Sequence, residues 1–258
     1  MKKFVKYAVA LAAAALLAFL MILIWKGNSR DHSLRTCEGL SVEFGEEHNF
    51  VTRDDIKAYL DEEYGAYIGQ RVDSVDLHKV EAILDRRSAV LKSEAWITPD
   101  NIMHVKISQR EPVVRFQTAT DGFYADEKGF LFPLQENFTS LVPIVDGNVP
   151  IQEKNGFKGQ PDKPEERLWL SQVIEMVNYM EKSGIWADNI SQITVDGKGD
   201  LVLIPREGSE KFIFGSPDQA QDKFRRIEEY YRSIAPLKEK GYYTSVNVKY
   251  ARQVICRR

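Results

Sequence analysis

The chain has 258 residues with 35 basic and 38 acidic side chains, a net charge of −3, and that length accommodates one or two domains plus a short appendage. The charge is uneven. Residues 1–30 hold Lys2, Lys3, Lys6, Lys26 and Arg30 and no acid, which leaves 30 bases against 38 acids, or −8, in the rest. An acidic body excludes a dedicated nucleic-acid binder, because phosphate affinity needs clustered Lys and Arg. The two cysteines, Cys37 and Cys256, are too few for a disulfide framework and show no metal spacing. They read as small apolar residues in strands or, in an oxidising compartment, as one bonded pair.

Residues 1–6 form a short basic tail, and residues 7–25 run without a charge. As a helix rising ~1.5 Å per residue, residues 7–25 span roughly 28 Å, close to a bilayer's hydrocarbon thickness. Tyr7 and Trp25 stand at its two ends as interfacial anchors. The run is longer than a signal-peptide core and closes on Leu-Ile-Trp-Lys rather than on a small-x-small cleavage site. The expectation is therefore an uncleaved single transmembrane helix. The basic tail favours a cytoplasmic N-terminus, and residues 26–36 form a juxtamembrane linker.

Residues 37–110 read as a β-α-α-β-β unit. Gly39 to Phe44 alternates as a strand. Thr52-Arg-Asp-Asp55 opens a helix with a capping-box-like pattern, and Ile56, Tyr59 and Leu60 share one face. A second helix runs from about Asp76, with Leu77, Val80 and Leu84 in register. Two strands follow. Leu91, Ala95 and Ile97 lie on one face of the first, and Met103, Val105 and Ile107 on one face of the second. Pro99-Asp100-Asn101 makes the turn between them.

Residues 111–258 read as a mainly antiparallel β domain with flanking helices, so the fold class is α+β. Phe123 to Pro133 is a hairpin turning at Asp126–Gly129. Leu141 to Val145 is a short strand that Pro143 marks as an edge or a bulge. A helix begins near Pro164 with Glu165 and Glu166 in its first turn. Leu170, Val173, Ile174, Val177 and Met180 form its buried stripe, and Gly184 stops it. Ile190–Val195, Leu201–Ile204 and Lys211–Phe214 form an antiparallel meander. Ser216-Pro217 opens a last helix as N-cap and N1, with Phe224, Ile227, Tyr231 and Ile234 on its apolar face. After Gly241, Tyr242 to Cys256 reads as one long strand, with Val246, Val248 and Tyr250 on one side and Asn247, Lys249 and Ala251 on the other.

An apolar anchor followed by a β-α-α-β-β unit resembles the POTRA arrangement of the FtsQ/DivIB cell-division family. Ile107-Ser-Gln-Arg-Glu-Pro-Val-Val-Arg-Phe116 resembles the strand that leaves that module, with Arg110-Glu111-Pro112 as the Arg-x-Pro-like signature. As residues in their own right, these three read as a strand terminator. Phe123 to Pro133 looks like the family's next hairpin. The end of the chain, from Gly215 to Cys256, is similar to FtsQ proteins of Bacteroidetes type. The likeness follows nearly the whole chain in order and spacing.

The resemblance implies a single-pass, non-catalytic scaffold at the division septum, held in the inner membrane with its C-terminal domains in the periplasm. It implies that the last domain binds an FtsB/FtsL-type coiled-coil pair and that the POTRA module meets other division proteins. By position, the partner-binding strand falls on Val248, Tyr250, Arg252, Val254 and Cys256, with Lys249 and Gln253 on the other face. Ile255-Cys256 stands where the family often carries an aromatic. Pairing by strand addition fits an open terminal edge.

No phosphate-binding glycine loop, HExxH or GxSxG motif is present, and no cofactor is implied. His32, His48, His78 and His104 are scattered and read as surface residues. Asp196 to Asp200 is a plain turn lacking the alternating acids of a calcium loop. Two other readings compete. One is a cell-envelope transport or chaperone adaptor, against which the lack of a C-terminal barrel pattern counts. The other is an envelope hydrolase with scattered site residues, against which the lack of a nucleophile with a base in reach counts.

Overall fold

The computed structural model describes residues 15–22, 35–45, 50–118, 121–134, 139–152 and 156–258. Residues 15–22 are helical (α1) and present Leu16, Leu17, Phe19, Leu20, Met21 and Ile22 exposed. Among the described residues no helix is long and apolar enough to cross a membrane. Most of the expected 7–25 span, with its anchors Tyr7 and Trp25, lies outside the described residues. So do His32 and His48. The chain divides into two compact units, with the boundary between Gln109 and Arg110.

The first unit contains β1 (Gly39–Phe44), α2 (Arg53–Glu63), a 3₁₀ turn (Val72–Ser74), α3 (Leu77–Asp85), β2 (Val90–Ile97) and β3 (Ile102–Gln109). The sheet order is β1-β3-β2, with β1 parallel and β2 antiparallel to β3. The expected β-α-α-β-β order holds. Asp55 closes the capping box of α2 as Glu would: the Thr52 N–H donates to Asp55 Oδ2 at 2.8 Å, and the Asp55 N–H donates to Thr52 Oγ1 at 3.2 Å. Asp76 caps α3 by accepting from the Lys79 N–H at 3.0 Å. Met103, Val105 and Ile107 are fully buried, as the alternation of β3 requires.

Leu91 departs from its expected face. The β2–β3 register shifts between Val90 and Lys92, so Val90 turns into the core and Leu91 is exposed. A bulge adds one residue and reverses the alternation beyond it. The outward N–H groups of edge strand β2 are met by side chains of α3. Ser93 N–H donates to Asp85 Oδ1 at 2.7 Å, and Ala95 N–H to Glu81 Oε1 at 2.8 Å.

The second unit contains β4 (Pro112–Gln117), β5 (Gly122–Asp126), β6 (Leu131–Pro133), β7 (Ile144–Gly147), α4 (Pro164–Ser183), the single turn α5 (Trp186–Asn189), β8 (Ile190–Val195), β9 (Leu201–Pro205), β10 (Lys211–Gly215), α6 (Ala220–Glu229), β11 (Ser245–Asn247) and β12 (Ile255–Arg257). The strands form one sheet in the order β12-β11-β10-β9-β8-β7-β4-β5-β6. Five neighbouring pairs are antiparallel and three are parallel, so the domain is mixed around an antiparallel majority. Parallel neighbours need long crossovers. α4 carries the crossover from β7 to β8, and α6 carries the one from β10 to β11.

Both helices join one core. Leu170, Val173, Ile174, Val177 and Met180 of α4 are all buried, as is Phe224 of α6. The Phe224 ring lies 4.9 Å from Trp186, 5.1 Å from Phe214 and 5.5 Å from Tyr179, centroid to centroid. Fully burying each aliphatic side chain of the stripe contributes about 1.5–3 kcal/mol.

Four expectations change here. The strand expected at Leu141–Val145 begins at Ile144 and lies in the middle of the sheet. Pro143 stands just before it, with its carbonyl accepting from the Arg115 N–H at 3.0 Å, so its missing donor is not needed. The last helix starts at Ala220, not at Pro217. Ser216 hydrogen-bonds Asp218, and the Lys223 ammonium binds the Ser216 carbonyl at 2.7 Å and Asp218 at 2.8 Å. Those bonds hold residues 216–218 as a turn and leave Gln219 at the cap. Tyr230, at i+3 from Ile227, is the buried ring and Tyr231 is partly exposed, and a π turn, Tyr230–Ile234, closes the helix. Fourth, Arg110 is more than a strand terminator. Its guanidinium pairs with Asp126 at 2.8 Å, both side chains being largely buried, and lies 3.5 Å from the Phe130 ring centroid. Asp126 also accepts from the Lys128 and Phe130 N–H groups at 2.9 Å each, and so shapes the β5–β6 turn.

Arg110→Ala strands the buried Asp126 carboxylate. It is expected to destabilise the second unit by about 3–5 kcal/mol, seen as a lower urea midpoint for that unit's transition. Thr52→Ala should lower the first unit's midpoint by an amount equivalent to about 1 kcal/mol.

Candidate functional site

The chain's last seventeen residues do not form one strand. β11 (Ser245–Asn247) and β12 (Ile255–Arg257) pair antiparallel, with Ser245 opposite Arg257, Val246 opposite Cys256 and Asn247 opposite Ile255. Residues 248–254 turn between them. The alternation over 244–250 is genuine, but local contacts end it. Val248 N–H donates to the Ile213 carbonyl at 3.0 Å, and the Val248 carbonyl accepts from Arg226 Nε at 2.9 Å. Both backbone groups of Val248 are thereby spent within the domain. Lys249 N–H donates back to Asn247 Oδ1 at 3.0 Å, and Arg252 sits at φ +61°, where the chain reverses.

Lys249 is the staple of this turn. Its ammonium reaches both Asp200 carboxylate oxygens, at 2.7 and 2.8 Å, and the hydrogen bond to Asp200 raises the Lys249 pKa. Asp200 is presented by the β8–β9 turn, where Asp196 Oδ1 accepts from the Lys198 and Asp200 N–H groups at 2.8 and 3.0 Å. Burial opposes the charge on Asp196, yet those backbone donors hold its pKa below the ordinary carboxylate value. The Lys249 stem crosses Gly215, where a Cβ would stand 2.7 Å from Lys249 Cγ and the φ is +83°. Only glycine allows both that backbone and that approach.

The residues singled out from sequence therefore separate. Val248 is fully buried and Lys249 is bound to Asp200, so both build the hairpin. Tyr250, Arg252 and Gln253 are exposed in the turn, and Val254 packs on the core. Ile255 and Cys256 lie on β12. Cys256, opposite buried Val246, faces the helix-covered side, where burial raises its thiol pKa. Ile255 shares the other face, in one row with Asn247, Ile213 and Val202. Cys37 and Cys256 are both free thiols. Sequence reasoning missed Asp200, Gly215 and Arg226. Gly215 ending a strand was the one local hint.

The two ends of the nine-stranded sheet differ. At the β6 end, Leu131 and Gly159 exchange N–H···O bonds of 2.7 and 3.0 Å, so the following loop covers that edge. At the other end β12 pairs with β11 on one side, and among the described residues no strand pairs with its other side. Exposed Arg252, Arg257 and Arg258 surround it, the kind of charge that keeps an edge from pairing indiscriminately.

A β-α-α-β-β module is followed by a mixed nine-stranded sheet with one terminal edge that no strand pairs among the described residues. Comparison with known families is specific. Residues 35–108 match the POTRA-like domain, and residues 111–257 match the family described as FtsQ/DivIB, C-terminal related. That second match covers more than half of the chain, which therefore belongs to the FtsQ/DivIB family of cell-division proteins. No curated protein matches it.

Lys249→Met should loosen the hairpin without unfolding the unit. The expected readout is faster amide exchange at 255–257, with a loss of about 1 kcal/mol or less for this partly exposed pair. Gly215→Ala should do more, because it adds backbone strain to the clash.

Proposed function

We propose that this protein is a non-catalytic division scaffold that captures an FtsB/FtsL-type coiled-coil pair by strand addition at the outer edge of β12. The family match supports a role alongside other division proteins. The observation that carries the reading is the asymmetry of the sheet: its own loop seals the β6 end, and β12 presents unpaired backbone. A partner strand gains main-chain hydrogen bonds there, and alternate side chains supply selectivity. On one face the partner meets Ile255, the end of the row that runs through Asn247 to Ile213 and Val202. On the other it meets Cys256 and Val254. Tyr250, Arg252 and Gln253 lie where such a strand passes the turn.

In this reading the 7–25 segment is the membrane anchor, with the N-terminus cytoplasmic and both units in the periplasm at the septum. The exposed apolar helix 15–22 supports an environment other than water for that stretch. The POTRA-like unit then meets other division proteins.

The test is photocrosslinking from single positions of the full chain in dividing cells. Probes at Ile255 and Arg257 should trap the coiled-coil partner, and a probe at exposed Lys128, in the β5–β6 turn at the opposite end of the sheet, should not. Ile255→Glu should reduce capture at least tenfold while the melting temperature stays within a few degrees. Equal crosslinking from both ends, or full capture by Ile255→Glu, would count against the β12 edge.

A further inference from the structure

Glu210 is a carboxylate that is about nine-tenths buried, and among the described residues no Lys, Arg or His forms an ion pair with it. It lies in a pocket of about 320 Å³ walled by Tyr230, Tyr231, Tyr242 and Tyr243. Burial and then the Glu210 charge push the Tyr230 hydroxyl up to about 12 and the Tyr231 hydroxyl higher still. Ser209 N–H donates to Glu210 Oε2 at 3.0 Å. Gly208 makes room for the group: a Cβ there would stand 2.8 Å from the same oxygen, and its φ is +118°.

A buried charge is normally paired, yet among the described residues Glu210 has hydrogen bonds, with the Ser209 N–H and with Tyr231, and no ion-pair partner. The other charged lining residues are two acids, Glu207 and Glu239, and two bases, Lys238 and Lys240, so Glu210 is the excess acid. The neighbouring lysine does not fill the role, because the Lys238 ammonium lies over the Tyr242 ring, 5.0 Å from its centroid. Arg258 also lies against Tyr242, 4.1 Å from the same centroid, so that ring already takes cations. Aromatic faces around a carboxylate form a receptor for an organic cation. The volume is near the bottom of the ~300–1,000 Å³ range for ligand pockets and suits one side chain.

We propose that this pocket receives the guanidinium or ammonium group of a basic side chain from the partner polypeptide, with Glu210 as counter-ion and the tyrosine rings packing its stem. The position fits. Tyr242 and Tyr243 lead directly into β11, whose Ser245 lies opposite Arg257 at the end of β12. The lining residues Gly208, Glu210, Tyr242 and Tyr243 stand just before β10 and β11, at the end of the sheet where β12 finishes. The identity of the partner rests on the strand-addition reading, whereas recognition of the cation does not.

The experiment therefore uses small probes. The full chain in detergent, with ring-labelled tyrosine, is titrated with N-acetyl-arginine methylamide and with its uncharged citrulline counterpart, and ring shifts are followed by NMR. Saturable shifts of Tyr230, Tyr231 and Tyr243 with the arginine probe alone are expected. Glu210→Gln, nearly isosteric, should weaken them at least tenfold. Tyr231→Leu, at an exposed ring, should also weaken them and serves if the first variant does not fold. Equal response to citrulline, unchanged binding in both variants, or no saturable shift would overturn the pocket's role. Any of these results leaves β12 crosslinking to be judged by itself. Loss of β12 crosslinking with the arginine response intact would remove only the partner's identity.

Discussion

A sheet of finite width ends on two strands whose outer N–H and C=O groups need partners, and an unmet edge invites another chain. This protein meets its edges in different ways. In the first unit, Asp85 and Glu81 of α3 accept from the outward N–H groups of β2. In the second, Gly159 bridges the edge of β6. The edge of β12 has neither device and is guarded only by charge. Such an edge is expensive to leave bare, and the proposed strand addition would satisfy it.

Presenting that edge depends on contacts remote from it. β12 is three residues long and could not persist as an isolated hairpin. Its position comes from β11, which is parallel to β10 and so requires the α6 crossover. The same helix supplies Arg226 to the Val248 carbonyl, and the β8–β9 turn supplies Asp200 to Lys249. Both anchors act on the hairpin that positions β12, and Val246 and Val248 tie that hairpin into the same core as Leu170, Val173 and Val177.

The end of α6 sets two tyrosines on Phe212. Tyr230, at i+3 from Ile227, is buried with its ring 5.7 Å from Phe212 centroid to centroid, and Tyr231, at i+4, lies 5.6 Å from the same ring with part of its surface exposed. A π turn, Tyr230–Ile234, then closes the helix. The two rings form an aromatic wall beside the buried Glu210 carboxylate.

Local sequence determined much of the architecture. The alternation of Met103, Val105 and Ile107, the stripe from Leu170 to Met180, the Thr52–Asp55 cap and the order of elements were all legible, because each depends on residues two to four positions apart. The family likeness was legible for the same reason, as an ordered series of such elements. Tertiary structure alone decided where strands stop, which edge stays open and which charges are paired. Tyr242 to Cys256 alternates as a single strand should, yet it folds back because Lys249 finds Asp200, 49 residues away, over a glycine that belongs to a third strand. Periodicity records which way a side chain points. It carries no record of the distant group that bends the chain, since that group is brought near only by folding.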